Sequence, residues 1–480
     1  GVVTENNENY GFVHLNRPNG SDRISKARLQ TIKFPFFSLS DTKEIKSLFL
    51  KNSGVRKEVS RPLGYDQRLL PYLWLSPSPS FSKGENKMLK NNLIVTIDPG
   101  KYICQALICQ NGKIMESFPF ENVSFPGMKK LLDKTLIYGK NPIFVFEATN
   151  VFWKPLYFHI TSFGYQCFTV SASQTGAYRK TRIRKTKTDK IDCKEILEIY
   201  LKGEAHPTKI LSQHLTSLKE LTRLYTHLVD TKTNLCYRIR EYIYQLFPEW
   251  ENTFKDIFCK TSLYLLEKQL SSPQLLSKTR RDKLAGIIKK VSHGKFGLPV
   301  VNQLKENAQN SFGIPLTQQA LSLNLSLLVK SINSLDNILI PLENNIKNIF
   351  LQVPQHLLTV PGVAVIPAAS FISELGNPND FSNADKVIAW FGLDIVWKSS
   401  AGKGKGYHVS KTGTPYGRKW VYVAAGEFVR HFPPAKQKYL KIFKEHHIHK
   451  SALIPICADL TKILFAMYRD GTTFDPSRYH

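Results

Sequence analysis

The sequence lacks the features that mark secreted, membrane-spanning and disulfide-stapled proteins. Its 480 residues include no uninterrupted apolar run of about 18 residues, so no segment is expected to span a bilayer. The N-terminal residues show no basic stretch followed by an apolar one, so no secretory signal is expected. The seven cysteines are scattered, with no CxxC pair, which argues against a disulfide framework and a structural zinc site. A reduced, cytoplasmic chain is predicted.

Acidic residues are also scarce relative to basic ones. The chain has 66 Lys and Arg against 38 Asp and Glu, a formal net charge of +28 at pH 7. Apolar residues make up 42% and charged residues 22%, an ordinary globular composition that excludes wholesale disorder. The excess positive charge therefore predicts a polyanionic partner, and nucleic acid is the leading one.

Composition changes near Met88. Residues 1–87 are rich in Ser, Asn, Pro and Gly, and their hydrophobic periodicity is weak. We interpret them as a poorly defined extension upstream of an ancestral start, the alternative being a small accessory domain. Over 88–205, short apolar strands come first and then alternate with helices, which predicts a mixed α/β sheet.

The region 206–353 is predicted to be helical. Apolar residues recur at steps of three and four over 211–246, and steps of four and three alternate over 321–349, which forms a heptad seam. The seam fits either a helix pair within one monomer or a coiled coil between subunits. Residues of about 250–313 are interpreted as an insertion between the two helices. Residues 354–480 predict a mostly α-helical domain.

Four carboxylates occur where a sheet and a helix can bring them together. Asp98 and Glu147 each end an apolar strand, and Asp189 and Asp192 lie three apart at a helix start, on one helix face. Carboxylates this close repel one another unless cations neutralise them. Although each Asp alone is more simply a cap or a surface charge, the four together predict a site for Mg²⁺, with Mn²⁺ as a substitute.

A basic loop is predicted between the strand at 167–170 and the helical acids. Seven of the twelve residues 179–190 are Lys or Arg. Next to a metal site, such a run is expected to position phosphates rather than to form a plain solvated face. The candidate nucleic-acid-binding residues in this loop are Arg179, Lys180, Arg182, Arg184, Lys185 and Lys187.

The acids and their neighbours resemble those of one protein family. Asp98 in Ile-Asp-Pro-Gly-Lys, Glu147 in Phe-Glu-Ala-Thr-Asn, and the Asp189–Asp192 pair in Lys-Thr-Asp-Lys-Ile-Asp resemble the DEDD domain of insertion-sequence 110 family transposases. The stretches Val-Pro-Gly-Val, Phe-Gly-Leu and Ser-Lys-Thr-Gly, all after residue 354, resemble the second domain of that family. The resemblance implies a RuvC-like, RNase H-like fold for the first domain.

The resemblance also implies a nucleophile. The family's C-terminal serine falls on Ser400, counted from the Phe-Gly-Leu and Ser-Lys-Thr-Gly stretches, with Ser399 as the alternative. The surrounding glycines let a backbone approach phosphate closely. Lys403, Lys405 and Lys411 are candidates for offsetting phosphate charge. Without the resemblance, this glycine- and lysine-rich stretch is most simply a flexible loop.

The family resemblance implies a DNA transposase or site-specific recombinase of an insertion sequence. It further implies guidance by a bridge RNA, a covalent phosphoserine intermediate on donor and target DNA, and a dimer or tetramer with composite sites in the prokaryotic cytoplasm, at the nucleoid. The alternatives are a hydrolytic, Mg-dependent RNase H-like nuclease or Holliday junction resolvase, and a non-catalytic nucleic-acid-binding protein of a decayed element.

Overall fold

A computed structural model describes the chain from Leu93 onwards, with short gaps. Of the sequence predictions, those on residues 1–87 and on most of the basic loop fall outside the described residues. The described residues are 93–148, 150–180, 189–207, 211–400 and 403–479, with the backbone alone at 179–180, 189–190, 206–207, 397–400 and 403–407.

A six-stranded mixed sheet forms the first part of this chain, as the sequence predicts. Short runs such as Leu-Ile-Val-Thr-Ile and Ile-Phe-Val-Phe favour strands because β-branched and aromatic side chains pack well on a pleated surface. The strand order is β3-β2-β1-β4-β5-β6, with β1, β4 and β5 parallel and the remaining pairings antiparallel. The strands are β1 (Leu93–Asp98), β2 (Ile103–Gln110), β3 (Lys113–Glu121), β4 (Ile143–Glu147), β5 (Gln166–Val170) and β6 (His206–Pro207).

Helices cover both faces of the sheet, so the central strands are buried on both sides. Val95, Ile97 and Phe146 lie in one core with α1 and α2, whereas Ile94 and Val145 lie in another core with α4. The helices of this part are α1 (Phe125–Leu136), α2 (Lys154–Ser162), α3 (Ala172–Lys180) and α4 (Asp189–Leu201).

The prediction of a basic loop directly after β5 was wrong in part, because α3 occupies its beginning. Ser171 starts this helix: its hydroxyl accepts from the backbone N–H of Gln174 at 3.3 Å, and its carbonyl accepts from the N–H of Thr175 at 3.2 Å. Ser171, which precedes Ala-Ser-Gln, is therefore an N-cap signal in the sequence. The prediction missed it because it followed the basic residues that come later in the segment.

Two long antiparallel helices follow, α5 (Gln213–Leu246) and α11 (Gln318–Phe350). Leu215 and Leu218 near the start of α5 share a core with Ile346 and Phe350 near the end of α11. The pairing lies within one chain, which is the first of the two alternatives for the heptad seam.

Five short helices close the far end of this pair, and we call them the arm-tip module. They pack around Ile239, Ile243 and Leu246 of α5 and around Leu325 and Val329 of α11. The module therefore has a core of its own. Its helices are α6 (Trp250–Thr253), α7 (Lys260–Glu267), α8 (Pro273–Lys278), α9 (Arg281–Val291) and α10 (Leu298–Gln309).

The C-terminal part is mostly helical, with one β-hairpin. Gly362 has φ +79°, and a Cβ there would lie 2.6 Å from the Glu427 carbonyl carbon, so the Val-Pro-Gly-Val stretch allows close packing on α14. The elements are α12 (Val365–Leu375), α13 (Ala384–Trp390), β7 (Ile395–Ser400), β8 (Lys403–Val409), α14 (Pro415–His431), α15 (Pro433–His446) and α16 (His449–Asp470).

The interpretation of the glycine- and lysine-rich stretch as a flexible loop was wrong. Residues 395–400 and 403–409 pair as antiparallel strands, from Ile395 opposite Val409 to Ser400 opposite Lys403. The stretch Ile-Val-Trp supplies strand-forming residues on one side. The two strands form a two-stranded sheet of their own.

Two helices, Pro315–Phe350 and His449–Asp470, are long and apolar enough to cross a membrane by length and composition alone. Both contribute buried residues to the cores described above, such as Leu325 and Ile346 from the first and Leu460 and Leu464 from the second. Core packing therefore accounts for part of their apolar character, while Leu327 and Ile340 of the first helix are exposed.

A buried ion pair joins α5 to the C-terminal part. The Glu374 side chain on α12 is 1% exposed, and Arg223 on α5 donates to its two oxygens at 2.6 and 3.0 Å. The Thr414 hydroxyl donates to the same carboxylate at 3.0 Å. One carboxylate thereby ties together a long helix, a core helix and the segment that follows the hairpin.

Arg223→Ala is expected to lower the free energy of unfolding by about 2–3 kcal/mol, because it leaves a buried carboxylate without its main counter-charge. Arg238→Ala on the same helix removes an exposed pair with Glu241 and is expected to cost under about 0.5 kcal/mol. Chemical denaturation followed by tryptophan fluorescence measures both. Equal losses of unfolding free energy in the two variants would show that the buried ion pair stabilises the fold no more than the exposed one.

Candidate active site

The carboxyl ends of β1 and β4 place two of the predicted acids side by side. These strands are parallel, with Ile97 opposite Phe146, so the next residues, Asp98 and Glu147, occupy equivalent positions. Because side chains alternate along a strand, both acids project toward the face opposite Ile97 and Phe146. That is the face covered by α4.

The third acid lies on the covering helix. The Thr96 hydroxyl donates to the Cys193 carbonyl at 2.9 Å, and the Cys193 thiol donates to the carbonyl of Gln105, the β2 neighbour of Asp98, at 3.2 Å. These bonds hold the first turns of α4 over the ends of β1 and β2. Asp192, the residue before Cys193, is buried at this position.

The fourth acid, Asp189, is the first residue of α4, and its side chain lies outside the described ones. The structure thus brings Asp98, Glu147 and Asp192 to one edge of the sheet. Among the described side chains, no group of three or more His, Cys, Asp or Glu residues is close enough to hold a metal ion. The four-acid metal site therefore stays a prediction.

The environment of these acids suits a hard cation. Glu147 is 6% exposed and accepts a hydrogen bond from the buried Thr175 hydroxyl at 2.8 Å. Carboxylate oxygens are the donors that Mg²⁺ prefers. Burial raises the pKa of the neighbouring Cys104 thiol to about 12, and the Asp98 carboxylate adds to that shift. The Cys104 thiol is therefore expected to stay protonated at neutral pH.

A further buried acid on α4 escaped the sequence analysis. Glu195 is 2% exposed and lies three residues after Asp192, on the same face of the helix. The i, i+3 spacing that marked Asp189 and Asp192 continues to Glu195. That continued spacing is the signal that could have found it.

Asn122 connects the loops that follow the two acid-bearing strands. Its side-chain amide donates to the Gly100 carbonyl at 2.7 Å and to the Phe152 carbonyl at 3.0 Å. Its backbone N–H donates to the Tyr102 carbonyl at 2.8 Å. The loop after Asp98 and the loop after Glu147 are thus held by one nearly buried side chain. No local sequence pattern marks this residue, because its partners are 22 and 30 residues away.

The predicted nucleophile lies on the β-hairpin. The Ser400 backbone pairs with that of Lys403 at the closed end of the hairpin. At the open end, the Ser410 N–H donates to the Asp394 carbonyl at 2.9 Å, and the Lys411 N–H donates to the Gly392 carbonyl at 3.1 Å. The side chains of Ser399, Ser400, Lys403 and Lys405 lie outside the described ones, and Lys411 is exposed at the open end.

Glycine is required where the hairpin meets the helical core. A Cβ at Gly413 would lie 2.0 Å from the Trp390 carbonyl oxygen. The Phe-Gly-Leu and Ser-Lys-Thr-Gly stretches are therefore packed directly against each other. Their contact fixes where the hairpin leaves the core.

Comparison with known proteins matches both ends of the chain to one family. A model of the DEDD domain of IS110 transposases matches residues 95–248, and a model of the IS116/IS110/IS902 transposase family matches residues 354–440. Together the two matches take in half of the chain, and they leave 249–353 between them.

Two curated relatives are similar to the chain. It is 22% identical to the insertion element IS116 uncharacterized 44.8 kDa protein of Streptomyces clavuligerus over 316 residues, 63% of this chain and 75% of the relative. It is 27% identical to the insertion element IS110 uncharacterized 43.6 kDa protein of Streptomyces coelicolor over 119 residues, 25% of this chain and 29% of the relative. The chain belongs to the IS110 family of transposases, and DNA is its substrate class.

Proposed function

We propose that this transposase cuts and rejoins DNA through a covalent phosphoserine intermediate formed by Ser400. The reaction takes place where Asp98, Glu147, Asp189 and Asp192 hold Mg²⁺. The observation that carries the proposal is the register of β1 and β4, which sets two strand-end carboxylates side by side beneath a helix that bears the other two. When bound, Mg²⁺ stabilises the charge that develops on the phosphodiester oxygens.

The serine step conserves the energy of the DNA backbone. The Ser400 oxygen forms a bond to phosphorus while the bond to the leaving deoxyribose oxygen breaks, and the hydroxyl proton passes to a base. Attack by a free DNA hydroxyl on the phosphoserine then reverses these changes and rejoins a strand. A serine hydroxyl needs activation for this step, so the serine and the acids have to meet in one site.

The partners follow from the same family and from the charge of the chain. The net charge of +28 suits a protein that handles several nucleic-acid strands. We propose that Arg179, Lys180 and the basic residues up to Lys187 position phosphates beside the acids. A bridge RNA would guide target choice. A dimer or tetramer would let the serine hairpin of one subunit meet the acids of another, in the prokaryotic cytoplasm at the nucleoid.

Asp98→Ala, Glu147→Ala and Asp192→Ala are each expected to lower Mg²⁺-dependent strand cleavage by about 100-fold or more, because each removes a carboxylate from the proposed metal site. DNA binding should be largely retained. Asp133→Asn, at an exposed position of α1, is the matched control and should cleave normally. Cleavage of a labelled duplex over a Mg²⁺ titration gives the result, and full activity in any of the three alanine variants would refute the metal assignment.

Asn122→Ala is expected to raise the Mg²⁺ concentration for half-maximal cleavage by about 10-fold, because it releases the loops after Asp98 and Glu147 and so loosens the ligand geometry. A purely structural role would lower the amount of folded protein without moving the Mg²⁺ midpoint. The titration is therefore made at equal concentrations of folded protein, and an unchanged midpoint would assign Asn122 to stability alone.

Ser400→Ala should abolish the covalent protein–DNA adduct and recombination, whereas Ser399→Ala should retain both. A Ser→Ala change on the hairpin is expected to alter the free energy of unfolding by less than about 0.5 kcal/mol, so lost activity would report chemistry. A denaturing gel of labelled DNA detects the adduct. Loss only in Ser399→Ala would move the nucleophile by one residue. Cleaved DNA without an adduct in every variant, wild type included, would indicate a hydrolytic nuclease or resolvase instead.

A further inference from the structure

The arm-tip module carries a concentrated positive charge. Between Lys278 and Lys295, seven Lys and Arg side chains are exposed and Asp282 is the single acid. Arg280 pairs with Asp282 at 2.7 Å, and among the described residues no ion pair engages the other six cations. Those six are Lys278, Arg281, Lys283, Lys289, Lys290 and Lys295.

Helix stability accounts for only part of this charge, because Lys289 and Lys290 lie in the last turn of α9, where the negative end of the helix dipole favours cations. Arg281 and Lys283 lie in the first turn of α9, where the positive end of the helix dipole disfavours cations. The module is held together by the other face of α9, where Leu284 and Ile288 are fully buried. Replacing the cations by neutral residues would therefore leave the module's core intact.

Gly286 lies in the middle of the exposed basic face. A Cβ at this position would have no atom within 4 Å, so packing does not require glycine here. Glycine inside a helix costs about 1 kcal/mol relative to alanine. Without a side chain at Gly286, the helix backbone is open to close approach between Lys283 on one side and Lys289 and Lys290 on the other.

The dimensions of this face match a nucleic-acid backbone. Lys283 and Lys290 are seven residues apart, about 10 Å along the helix axis, which is comparable to the width of about 12 Å of the DNA major groove. The two ends of the face can therefore reach phosphates on either side of a groove. Lysine contacts of this kind position DNA without reading its sequence.

We propose that the exposed face of α9, formed by Lys283, Gly286, Lys289 and Lys290, binds the phosphate backbone of duplex DNA flanking the cleavage site. The proposal rests on DNA as the substrate class of this family and is independent of the metal site and of the serine. The face lies between the two segments matched by the family models. Ile239, which anchors the module, lies 21 residues along α5 from Leu218 in the C-terminal core, about 30 Å at the helix rise, so the module's core lies roughly one DNA turn from the core that carries the serine hairpin.

The test measures binding of the full chain to a labelled duplex of about four helical turns, in EDTA so that no cleavage occurs. The variant Lys283→Ala, Lys289→Ala, Lys290→Ala should bind about 10-fold more weakly. The slope of log affinity against log salt concentration should be shallower by about 2–3 for this variant. Each lost phosphate contact reduces the magnitude of that slope by about 0.9. The matched control, Lys140→Ala, Lys330→Ala, Lys347→Ala, removes three exposed lysines elsewhere and should behave like the wild type.

A second variant separates binding from folding. Gly286→Gln adds a good helix former with a bulky side chain, so it should weaken DNA binding while the melting temperature stays equal or rises. Equal salt slopes for the lysine triple variant and its control would overturn the proposal. Weakened binding of a structured RNA with unchanged binding of duplex DNA would overturn it too, and would assign the face to RNA. Formation of the covalent adduct by the same variants at saturating DNA tests the proposed role of Ser400 separately from DNA binding by α9.

Discussion

The parallel pairing of β1 with β4 under α4 is the constraint on which the candidate site depends. Both strands are buried on both faces, so their register cannot slip without exposing core residues such as Val95 and Phe146. That register sets Asp98 beside Glu147. The hydrogen bond from Thr96 to the Cys193 carbonyl then fixes how α4 crosses the sheet, and with it the place of Asp192. The packing that stabilises the domain also assembles its acidic edge.

The serine-bearing part depends on a different interaction. Its hairpin leaves the core where Gly413 packs on the Trp390 carbonyl, and Thr414 just beyond it bonds to the buried Glu374. The same carboxylate binds Arg223 of α5, the helix that continues the chain from the sheet domain. The two proposed halves of the active site are thus built on separate cores, which α5 connects within the chain.

The arm-tip module is a separately packed part of the scaffold. The family models match residues 95–248 and 354–440, the two segments that contain the proposed site residues. The module has its own core around Ile243 and Leu325 and exposes its charge on the outside. Because this basic face is exposed in the described part of the chain, its residues can change without disturbing either half of the proposed site.

The sequence by itself determined the mixed sheet, the acids at the strand ends and the family, because these depend on local patterns: apolar runs that end in Asp98 and Glu147, and an i, i+3 pair of Asp residues. Tertiary structure decided that α5 and α11 pair within one chain, that Ser400 lies on a hairpin, and that Thr175 and Asn122 support the acidic edge. Those features arise from contacts between residues far apart in the chain, such as Asn122 with Gly100 and Phe152, and no periodicity along the sequence encodes them.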